Sequence, residues 1–104
     1  MKRGEIWWSD QLDPIGRRPV VLLSRDESYK VRNAVIVAQI TTTIRNIPTE
    51  VLLDEADKMP KKCVINCDDI ATIRKHSLVE RITTLKAEKV EQIEKAIKFA
   101  LSLK

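Results

Sequence analysis

The chain has 104 residues and a mass of 11.9 kDa, room for one domain with a single modest core and too little for a TIM barrel of roughly 200 residues or more. Hydrophobic residues make up 43% and charged residues 33%, a globular balance. The formal charge of +4 is mild and evenly spread: residues 1–50 hold eight Lys/Arg against six Asp/Glu, and residues 51–104 hold eleven against nine. A basic patch must therefore be assembled by folding, since pairs such as Arg17-Arg18 and Lys61-Lys62 are too short to be nucleic-acid tails.

Gly4 to Ser9 favours a strand, and Asp13-Pro14-Ile15-Gly16 signals the turn that closes it. Pro19 to Ser24 is a continuous apolar run and reads as a buried strand. Arg25 to Asn33 is polar, a loop or a short helical turn. Ala34 to Ile40 is a second buried strand, Thr41 to Ile47 a Thr-rich connection stopped by Pro48, and Thr49 to Leu53 a third β run. After a polar loop, Cys63 to Cys67 is another strand; Ile70 to Ile73 and Ser77 to Val79 are short β candidates. The period then changes. From Lys86 onward Val90, Ile93, Ile97, Ala100 and Leu101 recur at helical spacing, and Glu91 and Lys95 form a favourable i,i+4 pair opposite. Five or six short strands and one C-terminal amphipathic helix predict a mainly β fold, a small antiparallel barrel with the helix laid on it.

Two cysteines are too few for a disulfide framework, no apolar stretch follows Met1-Lys2-Arg3, and no run approaches 18 apolar residues. The expectation is a reduced, cytoplasmic protein with no membrane span. Cys63 and Cys67 share a strand face and read as small core residues. The single His76 sits in a polar turn, which favours a surface role over metal ligation. With two glycines in the chain a phosphate-cradling loop is not expected, and no nucleophile elbow or dinucleotide fingerprint occurs.

Trp7 and Trp8 put one indole on each face of the first strand. The inner one is core; the outer one stacks on a base or packs in a subunit interface. Arg18 is held extended by Pro19 at a strand entry, where a planar cation suits phosphate as well as solvent. Thr41-Thr42-Thr43 ends a strand, where hydroxyls form turns or sites. Of Asp68 and Asp69, neighbours on a strand, one at most faces any given site.

Five segments, in order and at the right spacing, resemble the MazF/PemK toxin family over essentially the whole chain. They are Lys2 to Trp8, Arg17 to Asp26, Ile40 to Arg45, Ile47 to Val51, and Asn66 to Ile70 with Thr72. The resemblance implies an SH3-like barrel of the CcdB/PemK kind, a homodimer, and a cognate antitoxin that covers the RNA groove. It implies cleavage of single-stranded RNA, usually mRNA, at a short sequence without a metal or other cofactor, leaving 2′,3′-cyclic phosphate and 5′-OH ends. By that resemblance Arg18, Thr41 and Asp68 are the catalytic residues: Arg18 for charge stabilisation or proton transfer, Thr41 for positioning phosphate, and Asp68 as base or orienting group, which leaves the general base open between Asp68 and Arg18. Arg17, Arg25, Thr42, Thr43, Arg45, Asn66 and Asp69 are the expected RNA contacts. The loop before Arg18 is only Ile15-Gly16-Arg17, Asp69 stands where the family often has Gln, and Ala71 where it often has Arg. The competing readings are a barrel that binds nucleic acid or a partner without cutting, and a toxin directed at DNA gyrase.

Overall fold

In a computed structural model describing residues 1–12 and 14–104, the apolar runs become strands. They are β1 (Glu5–Asp10), β2 (Arg17–Leu22), β3 (Ala34–Thr41), β4 (Glu50–Leu53), β5 (Cys63–Arg74) and β6 (Leu78–Thr84). Between β2 and β3 lies the one-turn helix α1 (Ser28–Val31); α2 (Ala87–Ala100) closes the chain. Single 3-10 turns occur at Glu55–Asp57 and Lys75–Ser77. The expected turn after β1 starts at Asp13, outside the described residues; Pro14 and Ile15 do turn, with the Ile15 N–H donating to the Leu12 carbonyl at 3.0 Å.

The strands form one antiparallel sheet in the order β4-β5-β3-β2-β1-β6. Alternating side chains serve two cores, one on each face. Ile6, Val21, Ala38, Ile40, Val51, Leu53, Cys63, Ile65 and Cys67 make the first, and α2 closes it with Ile93 and Ala96, flanked by Val90 and Ile97. Val20, Leu22, Val35, Val37 and Leu78 make the second, with Tyr29 of α1, Trp7 and Ile73 against them. Leu78 belongs to the last strand in the order yet meets residues of β3 and β5, so the sheet curls into a half-barrel.

The helix follows its predicted stripe as far as Ile97. Ala100 is only half-buried and Leu101 is 55% exposed, because α2 ends at Ala100 and the stripe runs past the sheet. At the other end of α2, Gly4 has φ 91° and approaches the helix so closely that a Cβ would lie 3.0 Å from a Val90 methyl. Cys63 and Cys67 are buried free thiols in the first core, as their spacing predicts. Trp7 packs on the second core, its Nε1–H donating to Glu5 Oε1 at 2.9 Å; Trp8 is half-buried on the other face.

One element departs from expectation. The two β candidates at 63–67 and 70–73 are a single 12-residue strand, β5, with a bulge inside it. Gln39 of β3 faces Asn66, but the preceding Ala38 faces Ile70. Cys67, Asp68 and Asp69 are the extra residues. Three is an odd number, so the bulge reverses which face each parity meets. Cys63, Ile65 and Cys67 enter the first core; Ile73 enters the second. The bulge is pinned from outside: the Cys67 N–H donates to the Thr49 carbonyl at 2.9 Å, and Thr49 Oγ1–H donates to Asp68 Oδ2 at 2.7 Å. The chain after Ser77 also extends further than expected, as β6 to Thr84, an edge strand whose exposed Val79, Glu80 and Arg81 hide its alternation.

Candidate functional site

The second core stops short of one end of the half-barrel. Beyond Val20 on β2 the next residue on that face is Arg18; beyond Val37 on β3 come Gln39 and Thr41. β2 and β3 pair Val20 with Gln39 and Val21 with Ala38, and the same register continued puts Arg18 beside Thr41. Pro19 has no N–H to extend that ladder. Polar side chains here replace the apolar ones that fill the rest of the face, and the result is a cavity of about 1060 Å³.

Arg18 and Thr41 line it, with Asp69, Gln11, Gln39, Arg74, His76 and Ser77. Ile15, Ala71 and Ile73 supply apolar walls. Arg18 is exposed, and its Nε–H donates to the Ile15 carbonyl at 3.1 Å, which fixes the guanidinium beside the turn after β1. Directly across from Arg18 is Ser9, fully buried, whose hydroxyl donates to the Arg18 carbonyl at 3.1 Å. Gln11 Nε2–H donates to Ser9 Oγ at 2.7 Å. A chain of hydrogen bonds thus runs from Gln11 to the backbone of Arg18. Thr41 Oγ1 accepts the Thr43 N–H at 3.2 Å, so the hydroxyl both makes a turn and faces the cavity. Because the oxygen accepts that bond, its own O–H remains available as a donor.

The other expected site residues divide. Asp69 faces the cavity with Ala71 and Ile73, through the reversal the bulge imposes. Asp68 is held by Thr49 Oγ1 instead and does not line it. Asn66 lies across from Gln39 but its Oδ1 accepts the Asp68 N–H at 3.0 Å, so it serves the bulge. Arg17, one position out of phase with Arg18, pairs with Asp10 at 3.0 Å. Thr42 and Thr43 are exposed just past β3. Arg45 lies further along the same connection, its N–H bonded to Glu50 Oε1 at 2.8 Å and its guanidinium 3.9 Å from Glu50 Oε2. Arg25 stands three residues beyond the far end of β2 and caps α1 with its carbonyl, so it is not brought to the cavity.

Sequence reasoning missed Gln11, Gln39 and His76 as cavity residues. The signal for Gln39 was present: it is the only polar side chain in the run Ala34 to Ile40. His76 is placed by the 3-10 turn that swings β6 back beside β1, a connection no local pattern announces. The thiols are chemically quiet. Burial, with the charge of Asp68 second, pushes Cys67 up to about 11, and burial also raises Cys63. Burial and the nearby Asp26 push Tyr29 up to about 12. Among the described residues no three His, Cys, Asp or Glu side chains gather as a metal-ligand set, and no helix is long and apolar enough to cross a membrane.

Comparison with known proteins agrees with the geometry. A probable endoribonuclease MazF5 of Mycobacterium tuberculosis is 37% identical over 100 residues, covering 95% of this chain and 91% of its own. An endoribonuclease MazF of Staphylococcus saprophyticus is 36% identical over 112 residues, covering 99% and 92%. Among solved structures, the Mycobacterium tuberculosis toxin MazF-mt6 superposes with a TM-score of 0.89 at 31% identity, over 96% of this chain and 98% of that one. A mycobacterial endoribonuclease in complex with its cognate antitoxin gives 0.89 at 27% identity, over 100% and 97%. Residues 2–101 match the family described as PemK-like, MazF-like toxin of type II toxin-antitoxin system, and the chain belongs to that family.

Proposed function

We propose that this chain is a metal-independent endoribonuclease that cuts single-stranded RNA in the cavity between β2 and β3. The observation that carries the reading is the side-by-side placement of Arg18 and Thr41 at the open end of the second core, with the Asp69 carboxylate on the same cavity. Intramolecular cleavage of RNA needs little else. The ribose 2′-oxygen attacks the adjacent phosphorus and gives up its proton; the bond to the 5′-oxygen breaks, and that oxygen becomes a 5′-OH. The remaining fragment ends in a 2′,3′-cyclic phosphate.

In this reading Arg18 stabilises the negative charge that builds on the phosphorane oxygens, as a planar cation with several N–H donors is suited to do. The Thr41 O–H binds a non-bridging phosphate oxygen. A guanidinium holds its proton too tightly to be a good base. A carboxylate is the better proton acceptor. Of the two neighbours, Asp69 lines the cavity and takes that role; Asp68, bonded to Thr49, holds the bulge that aims Asp69. Arg17, Thr42, Thr43 and Arg45 follow or precede Arg18 and Thr41 in the chain and are exposed, and in this reading they contact the RNA backbone beyond the cavity.

Neutralisation by a cognate antitoxin belongs to the same reading, supported by the structural relative solved with its antitoxin. So do a homodimer and a cytoplasmic site of action. Phe99 and Leu101, at the end of α2, remain 64% and 55% exposed, apolar surface away from the cavity lining that a second copy would cover. Sequencing the 5′ ends of fragments left by the purified protein in EDTA tests the proposal. A recurrent short motif at the cut is expected; intact RNA after long incubation would refute it.

A further inference from the structure

Gln11 and Gln39 face each other across β2 as a reciprocal carboxamide pair. Gln39 Nε2–H donates to Gln11 Oε1 at 3.0 Å, and Gln11 Nε2–H donates to Gln39 Oε1 at 3.3 Å. The two ends of the pair are not equivalent. Gln11 uses its second N–H on the buried Ser9 hydroxyl. Among the described residues the Gln39 side chain bonds only to Gln11, so one N–H and one oxygen lone pair of its amide are unused, and the side chain lines the cavity.

The edge of the Gln39 amide that carries a donor beside an acceptor is spent on Gln11, so what remains for a nucleobase is a single hydrogen bond, given by the N–H trans to the oxygen or taken by the oxygen. One such bond still tells a base with an acceptor at that place from one with a donor. The surroundings suit a base. Ala71 and Ile73 line the same cavity and offer an apolar wall for the ring face. Gln39 also lies two residues before Thr41 on the same strand face, about 7 Å away, close enough to meet a base of the nucleotide whose phosphate Thr41 holds.

We infer that Gln39, braced by Gln11, is a base-reading residue that sets the nucleotide preference at one position next to the cut. The inference rests on the ribonuclease reading above and adds the subsite. Bracing matters because a long amide side chain has several rotamers to lose, and Gln11, itself held by Ser9, whose hydroxyl donates to the Arg18 carbonyl, limits those of Gln39.

The test is a cleavage profile on a single-stranded RNA pool with one randomised segment, read by sequencing fragment ends. Wild type is compared with Gln39→Glu, which keeps the shape but replaces the NH2 donor with an acceptor, and with Gln39→Leu and Gln11→Leu. Thermal melting of each reports folding, and any one folded variant at position 39 suffices. Gln39→Glu is expected to change the preferred base at one position by tenfold or more, and Gln39→Leu to relax that position. Gln11→Leu is expected to weaken the same preference without replacing it. An unchanged motif in folded position-39 variants, whether the rate falls or stays the same, would overturn the inference and leave the pair as a strut. Failure of the wild type to cut any RNA would instead refute the ribonuclease reading, and that arm is scored separately.

Discussion

The two faces of this sheet are built from the same strands and end in opposite ways. One face is sealed: Ile93 and Ala96 of α2 lie over Ile6, Val21, Ile65 and Cys67. The other face is apolar only where Tyr29, Val35 and Leu78 meet. Past Val20 and Val37 it turns polar and opens into the cavity lined by Arg18, Gln39 and Thr41. The sealed face supplies most of the apolar burial and holds the strands in register. The open face can then keep charged and amide groups in fixed positions without having to bury them.

Substitutions on the two faces should fail differently. Arg18→Ala has the largest expected effect. Loss of the phosphorane-stabilising cation should lower RNA cleavage by about 100-fold or more, with the melting temperature little changed because the side chain is exposed. Single-turnover cleavage and a thermal melt would check both halves. Ile93→Ala should do the reverse: it opens a void under α2 and costs about 2–5 kcal/mol by urea denaturation, while the activity of the folded fraction is retained. If Ile93→Ala instead abolished cleavage at full folding, the separation of the two faces would be wrong.

The bulge joins the faces, and its two carboxylates sharpen the comparison. Asp69→Asn should slow cleavage by about 100-fold in single-turnover rate, the low end for loss of a positioned base. Asp68→Asn keeps a group that can accept from Thr49 and should have the smaller effect on rate. A larger loss for Asp68→Asn in single-turnover rate would return the base role to Asp68.

The smallest effect concerns the sealed face alone. The thiol of Cys67 titrates at about 11 in the fold against about 9 when unfolded, because burial disfavours the thiolate. An acid weakened by folding stabilises the protein below the unfolded pKa and loses that contribution as pH rises. Stability to urea should therefore fall between pH 9 and 11, and fall less in Cys67→Ala, measured against its own value at pH 8. Native thiols should react slowly with a thiol-specific reagent at pH 8 and rapidly once the chain is unfolded.

How much of this was legible in the sequence follows the same division. The sealed face announces itself: Val20 to Leu23 and Ala34 to Ile40 are apolar runs, and the change of period at Lys86 marks the helix. Arg18 and Thr41 were legible too, as polar residues at the ends of those runs and as family motifs. The bulge was not. Cys67-Asp68-Asp69 looks like a strand followed by a turn, because Asp favours turns, and only pairing with β3 shows that the strand continues to Arg74. With the bulge unseen, parity could not distinguish Asp68 from Asp69. Gln11 was illegible for a related reason: it enters the cavity through a bond across β2, not through its own neighbours in sequence.

If the open face carries the phosphate chemistry, the ends of the cut RNA record it. The most direct measurement is the chemistry of the ends left on a labelled single-stranded RNA, cut in EDTA by wild type and by Arg18→Ala. The wild type should leave 2′,3′-cyclic phosphate and 5′-OH ends, and the variant almost no product. Cleavage that survives in Arg18→Ala, or 5′-phosphate ends from the wild type, would contradict it.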